Sequence, residues 1–359
     1  MPVSVRRPLV ALAVLAILLT TGSPLRLAAQ GLASEASRPA SNANQKITLD
    51  VVVDIKNARR PATAADLKQE DFSILDNKSP RPITSFRAIT PGQSTARVVL
   101  LIDAVNLRLQ GLEYVRNQVS AFLHANGGRL THPTAIAILT DQGLKIEDSF
   151  STDGSAINES LDKQVIGMRT ITRSAGIYGA EDRFSISLNA LRLLAGQQGK
   201  TPGRTVILWV SPGWPLLSGP EINLDGRQQR ELFSDVVNMS TELRETRVTL
   251  YAIDPIGANE SLERTFSYES FLKGIAKPSQ VDAGDLGLQV LASQSGGTAL
   301  NSNDTGALLQ RAYADLDNYY EITFDAAVTE TRDAYRHVEV KVDKPGMIAR
   351  TRDGYYAQP

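Results

Sequence analysis

Six side chains sit where apolar runs give way to turns: Asp103, Asn106, Asp141, Ser211, Trp214 and Asp254. Asp103 ends the run Val98 to Ile102, Asp141 follows Thr134 to Leu139, and Asp254 ends Val248 to Ile253. Apolar runs without alternation suit strands buried on both faces, and in an open α/β sheet ligands sit beyond the carboxyl ends of such strands. The indole of Trp214, on a loop between Pro212 and Pro215, is the rigid, amphipathic group that anchors many protein interfaces. The structural alternatives are that Asp103 caps the turn into the next helix and that Trp214 packs over the sheet end.

Nucleophilic and acid–base chemistry has little to work with. The chain has no cysteine. Its three histidines are isolated: His124 ends a helical pattern, His132 falls in an expected loop, and His337 faces out from an expected strand. There is no G-x-S-x-G elbow, no G-x-G-x-x-G and no phosphate-binding loop. The carboxylate pairs Glu147-Asp148 and Glu181-Asp182 are sequence neighbours, the pattern of solvated charge. The expectation is a protein that is not an enzyme, with a hydrolase as the enzymatic alternative.

The elements that must position these residues alternate. Arg97 to Leu107 supplies a central strand, and Leu112, Val115, Val119, Phe122 and Leu123 are spaced for one face of the following helix. Thr134 to Leu139 is the next strand, and Leu144 to Phe150 reads as an antiparallel edge strand. Ser155 to Met168 and Phe184 to Ala195 are helical, with Arg169 to Asp182 a polar loop between them. Arg204 to Val210 and Val248 to Ile253 are further buried strands, separated by a helix carrying Leu232, Val236, Met239 and Leu243. Strand–helix alternation of this kind implies a mostly parallel sheet with helices on both faces, a Rossmann-like α/β domain over 95–317.

The flanks have β grammar. Ile47 to Ile55 alternates with period two, and short strands follow at Asp71 to Leu75 and Ile83 to Ile89. Tyr319 to Phe324, Arg336 to Val342 and a terminal hairpin over Met347 to Tyr356 make up the other end. The segments 47–90 and 318–359 are expected to pair as one small antiparallel β-sandwich, into which the α/β domain is inserted or which flanks it.

Residues 1–29 have a basic start at Arg6-Arg7, an apolar stretch from Leu9 to Leu19 and small residues before Gln30, the layout of a secretory signal. Residues 30–46 read as a polar tether. An exported chain with no cysteine relies on its core and not on disulfides, and a periplasmic or extracellular location follows. With 38 basic and 39 acidic residues the formal net charge is −1, so no global field favours nucleic acid or an anionic membrane, and no membrane span is expected once the signal is removed.

The order of motifs resembles the von Willebrand factor A plan, and in detail the VWFA-related domain proteins described from Acidobacteria. VLLID at the first strand, EDFSILD upstream, LWVSPGWP at the fourth strand, YAIDPIG at the fifth, and YYEITF, HVEVKV, KPG and RDGYYA at the end carry that likeness. It spans nearly everything from Ile47 onward. The resemblance implies a secreted or envelope protein whose A domain binds another macromolecule. It also implies a metal site with an Asp-x-Ser-x-Ser loop, a Thr from a second loop and an Asp from a third. Here Asp103 matches the first carboxylate, but Val105 and Leu107 stand at the serine positions and Ser211-Pro212-Gly213 where the third loop would bring its Asp. The second-loop Thr has no clear counterpart, although Tyr178, Glu181, Asp182 and Ser185 lie nearby. Asn106 is a substitute oxygen ligand only if the turn shifts by one residue. The expected function is therefore protein binding by the rim without an intact metal site, the alternative being a degenerate Mg²⁺ site on Asp103.

Overall fold

A computed structural model of the chain describes residues 45–56, 67–147, 149–165, 177–199, 203–216, 223–255, 267–329 and 331–358. The secretory signal and all but the last two residues of the tether lie outside the described residues, as does Asp148.

The strands are β1 (Lys46–Ile55), β2 (Phe72–Asp76), β3 (Ser79–Arg81), β4 (Ile83–Ile89), β5 (Arg97–Asp103), β6 (Arg129–Thr140), β7 (Gly143–Ile146), β8 (Ser151–Asp153), β9 (Thr205–Val210), β10 (Val248–Asp254), β11 (Ala299–Asn301), β12 (Tyr319–Asp325), β13 (Tyr335–Val342), β14 (Met347–Arg350) and β15 (Gly354–Tyr356). The α-helices among the described residues are α1 (Leu109–His124), α2 (Gly154–Val165), α3 (Ile177–Gln198), α4 (Gly226–Glu245), α5 (Leu288–Gln294) and α6 (Thr305–Ala314).

The central sheet has the order β11-β10-β9-β5-β6-β7, with β8 also paired to β6. Its inner strands run parallel, Leu101 lying opposite Trp209 and Ile102 opposite Ile138, and β7 is the antiparallel edge. Both faces are dry. Val98, Leu100 and Ile102 face Val115 and Val119 of α1, Leu161 of α2 and Leu309 of α6. Val99 and Leu101 face Leu191 of α3, Met239 of α4 and Leu291 of α5. The fold is thus a Rossmann-like core with a small sandwich, as the alternation implies.

The sandwich draws on both ends of the chain. One sheet is β14-β1-β12-β4 and the other β15-β13-β2-β3. Leu49 pairs with Ile322 and Ile74 with Val340. Between the sheets Ile47, Leu49, Phe72, Ile74, Ile322 and Phe324 form one core, with Phe72 tilted against Tyr320 and Phe86 at 5.0 and 5.4 Å.

Three local expectations are corrected. Residues 177–182 are the first turns of α3 and not loop, because Ala180 and Phe184 extend the helix's apolar i,i+4 series upstream of Leu188. His132 lies inside β6 and is buried, its ring 5.2 Å from Tyr313. The terminal hairpin does not form: β14 pairs with β1 and β15 with β13, in different sheets. Arg350 holds β14 to β1 by reaching Asp54 at 3.3 Å. Gly354 lets β15 approach so closely that a Cβ would lie 2.5 Å from the Arg336 carbonyl.

Candidate functional site

Parity along the strands sets the site. Leu101 and Asp103 share a face of β5, and on the adjoining strand Trp209 and Ser211 share the same face, so these side chains converge at the carboxyl edge. Asp103 is fully buried there. Its Oδ2 accepts from Trp209 Nε1 at 3.0 Å, Ser211 Oγ at 2.8 Å and Asn106 Nδ2 at 2.8 Å. Its Oδ1 accepts from the Asn106 backbone N–H at 3.0 Å. The chain between them is closed into a turn by Leu107 N–H donating to the Asp103 carbonyl at 3.1 Å.

The network has only one consistent direction. Ser187 of α3 donates to the Arg183 carbonyl at 2.8 Å, so its oxygen is free to accept from Asn106 Nδ2 at 3.0 Å. The same amide nitrogen therefore faces both Ser187 and Asp103, and the amide oxygen of Asn106 turns away. Ser211 likewise donates to Asp103 while accepting from Gly213 N–H at 3.1 Å. Gly213 has φ +108°, and a Cβ on it would lie 2.5 Å from Gln289 Nε2, so glycine is what permits this turn. Burial pushes the Asp103 carboxyl above its ordinary range, against the opposing pull of the Asn106, Trp209 and Ser211 hydrogen bonds.

These residues do not fit a divalent cation. A hard metal needs oxygen lone pairs aimed at it, whereas Asp103 receives four N–H or O–H donors from the chain itself. Asn106 presents nitrogen where a ligand oxygen would be needed. Val105 and Leu107 are buried hydrocarbon. Among the described residues no group of three or more His, Asp or Glu is placed to hold a metal ion.

The remaining candidates are distributed unevenly. Trp214 is 4% exposed and packs edge-on to Trp209 at 5.5 Å and to Phe184 at 6.1 Å. In this conformation it is part of the core of that face and not a surface anchor. Ser211 and Asp254 are buried too, Asn106 is half-buried, and Asp141 is exposed. Arg108, Gln142, Asp182 and Ser185 are also exposed at the ends of neighbouring elements, and Glu181 is half-buried. Of the six candidates read from the sequence, the structure brings Asp103, Asn106 and Ser211 into one hydrogen-bonded cluster, and sequence reasoning missed Trp209 and Ser187, the two groups that complete it. Strand parity carries a signal for Trp209: two residues before Ser211, it must share that residue's face.

No protein-family model matches the chain, and no curated protein matches it. Among solved structures it is similar to the N-terminal domain of TFIIH p34, at 13% identity and TM-score 0.30 over 61% of this chain and 97% of that one. It is also similar to the human COPII-coat protein Sec24c, at 10% identity and TM-score 0.33 over 74% of this chain. A third is the pilus adhesin SpaC from Lactobacillus rhamnosus GG in its open conformation, at 10% identity and TM-score 0.38 over 85% of this chain. The matches span less than half of the last two, 44% and 48%. At such scores none of them carries an argument about function.

Proposed function

We propose that this chain is an exported, VWFA-related binding module that meets another protein or envelope component through the rim at the carboxyl edge of its central sheet, without a metal ion. The observation that carries this reading is the sealed Asp103. At the position where a Rossmann-like sheet usually places its chemistry, the carboxylate is buried and used by Asn106, Trp209 and Ser211. The cluster fastens the turns after β5 and β9 from inside, and Asp141 and Gln142 are exposed beside them on the β6–β7 turn, which Thr140 closes by its own hydrogen bonds. A rim held rigid before contact loses less conformational entropy on binding. No helix among the described residues is long and apolar enough to cross a membrane, which accords with a module that meets its partner outside the bilayer.

Crosslinking of the tagged full chain in its native envelope, followed by mass spectrometry, tests this. Reversing charge with Asp141→Lys and Asp182→Lys is expected to lower capture of the crosslinked partner at least tenfold. Leu193→Lys, at a side chain 55% exposed on α3, is expected to leave capture unchanged. Equal capture by all three variants would sink the rim as the contact surface, and abolition of capture by EDTA would restore the metal-dependent alternative.

A further inference from the structure

β7 is the last strand of the central sheet: β6 pairs with it on one side, and among the described residues no strand lies on the other. The antiparallel ladder fixes which of its backbone groups are free. Glu147 N–H donates to the Ile136 carbonyl at 3.1 Å, so the alternation makes Lys145 with Ile138 and Gly143 with Thr140 the next hydrogen-bonded pairs. The N–H and C=O groups of Leu144 and Ile146 therefore point away from β6, along the outer edge. That edge borders a groove of about 640 Å³ lined by Leu144, Lys145, Ile146, Glu147, Ser149 and Gln164.

Side chains divide across the strand by parity. Leu144 and Ile146 are half-buried against the core beneath α3. Lys145 and Glu147 take the other face, where Gln164 Nε2 of α2 donates to Glu147 Oε1 at 3.4 Å. Lys145 is exposed and has no carboxylate partner among the described residues. The Gln164 Oε1 atom is buried and receives no donor. The groove thus holds an unpaired ammonium, an acceptor lacking a donor, and a row of outward backbone groups.

An open strand edge is a template for pairing, and a lysine on it ordinarily guards against that. Here a glutamate on the same face follows the lysine two residues later, which reverses the effect for one partner only. We propose that a second copy of this chain pairs with β7 antiparallel, about a two-fold axis through Ile146, joining the two central sheets into one. In that register Ile146 exchanges two N–H···O bonds with the partner's Ile146. Each Lys145 lies opposite the partner's Glu147, in the kind of pair where side chains approach most closely. The partner's Lys145 then brings three N–H donors to Glu147 and to the orphaned Gln164 Oε1. Other registers fail on one count or the other. An axis between two residues would set outward groups against groups already bonded to β6, and an axis through Lys145 or Glu147 would set like charges opposite each other. The contact is isologous and closed, so assembly stops at the dimer. Its axis is perpendicular to the sheet, so the carboxyl edges of the two copies face opposite ways. The bridging of two partners that this allows rests on the rim as contact surface, whereas the dimer does not.

Sedimentation equilibrium of the full chain tests the dimer. The expected result is a species of twice the chain mass, with a dissociation constant below about 100 μM. Lys145→Glu turns two attractive pairs repulsive at once, as does Glu147→Lys, and each is expected to weaken the dimer at least tenfold. Mixing the two variants is expected to give heterodimers, because every added like charge then meets its opposite. The double variant Lys145→Glu/Glu147→Lys is expected to dimerise as the wild type does. Lys341→Glu, the same reversal on a strand of the sandwich at a side chain 52% exposed, is expected to leave the dimer unchanged. A wild type that stays monomeric at that concentration, whether or not an extended peptide binds the edge, would overturn the proposal. So would a dimer that Lys145→Glu leaves intact, or failure of both the mixture and the double variant to restore association. Should Glu147→Lys fail to fold, Lys145→Glu decides alone, since Lys145 is exposed.

Discussion

Trp209 donates its indole N–H to Asp103 Oδ2 at 3.0 Å, from one parallel strand of the central sheet to the next. An indole has one donor and no acceptor, so this bond fixes both the ring and the carboxylate. Trp214 then packs edge-on to Trp209, and the turn at Ser211–Trp214 is held from beneath. The carboxylate at the strand end is a fastening for the rim, and its chemistry is spent inside the protein.

Removing that fastening is expected to be expensive. Asp103→Ala leaves the neutral Trp209, Ser211 and Asn106 donors without an acceptor, and at about 1–3 kcal/mol for each unsatisfied buried group it is expected to cost about 3–5 kcal/mol. Asp103→Asn restores an acceptor on one side only and sets an NH₂ against a donor on the other, so it is expected to cost about 2–4 kcal/mol. Urea denaturation of these variants and of Trp209→Phe, combined in a double-mutant cycle, is expected to give a coupling energy of about 1–3 kcal/mol between the two residues. A coupling near zero would show that the bond contributes nothing to the rim.

The same closure fixes the response to metals. Because the Asp103 oxygens already accept from the chain, 5 mM Mg²⁺, Mn²⁺ or Ca²⁺ (about the upper end of a useful titration) should leave Tm unchanged, as should EDTA. Isothermal titration should give no heat beyond dilution. A saturable heat that disappears in Asp103→Ala would mean that the cluster opens to admit an ion.

Much of this fold was legible in the sequence, and the parts that were not have a common cause. β5 reads as central because both its faces are dry, which leaves Val98 to Ile102 unbroken, and β1 reads as one-sided because its residues alternate. Asp103 could be placed at the sheet edge from its strand alone. Its chemistry could not, because that depends on Trp209 and on Ser187, 84 residues downstream of Asp103 and brought to Asn106 by the packing of α3. The failed hairpin has the same origin. Met347 to Tyr356 contains two strands and a connection, and the pairing of β14 with β1, where Arg350 also reaches Asp54, and of β15 with β13 sends them to separate sheets.

Asp285 offers a pH-dependent prediction. It is 3% exposed in the turn before α5, and burial raises its carboxyl to about 7 while the Asp282 backbone N–H, at 2.6 Å, pulls the other way. In the unfolded chain it titrates near 3.8. Between those values the folded state holds a proton that the unfolded state releases, so stability falls as pH rises from about 4 to 7. Asp285→Asn keeps the acceptor and cannot ionise. It is expected to be more stable than wild type by about 2–4 kcal/mol at pH 8, with the difference vanishing towards pH 4. Denaturant midpoints that differ equally at both pH values would exclude titration of Asp285 as the cause.

The sandwich has its own buried carboxylate, and its partners span almost the whole described chain. Asp76 at the end of β2 is fully buried. It pairs with Arg336 at 2.7 Å and Arg81 at 3.6 Å, and accepts from Tyr355 Oη and the Ala327 backbone N–H, both at 3.3 Å. Three of these four partners lie more than 250 positions downstream, so the cluster joins the N-terminal and C-terminal strands of the sandwich. Asp76→Ala strands the Arg336 guanidinium against the core and is expected to cost about 3–5 kcal/mol. Arg336→Met in the Asp76→Ala background removes the stranded charge and should recover about 1–2 kcal/mol of that loss, since replacing both members of a buried pair is far cheaper than removing one. The measurement is urea denaturation of both single variants and the double variant. If the double variant is less stable than Asp76→Ala, the Arg336 side chain stabilises the sandwich by packing and not through its charge.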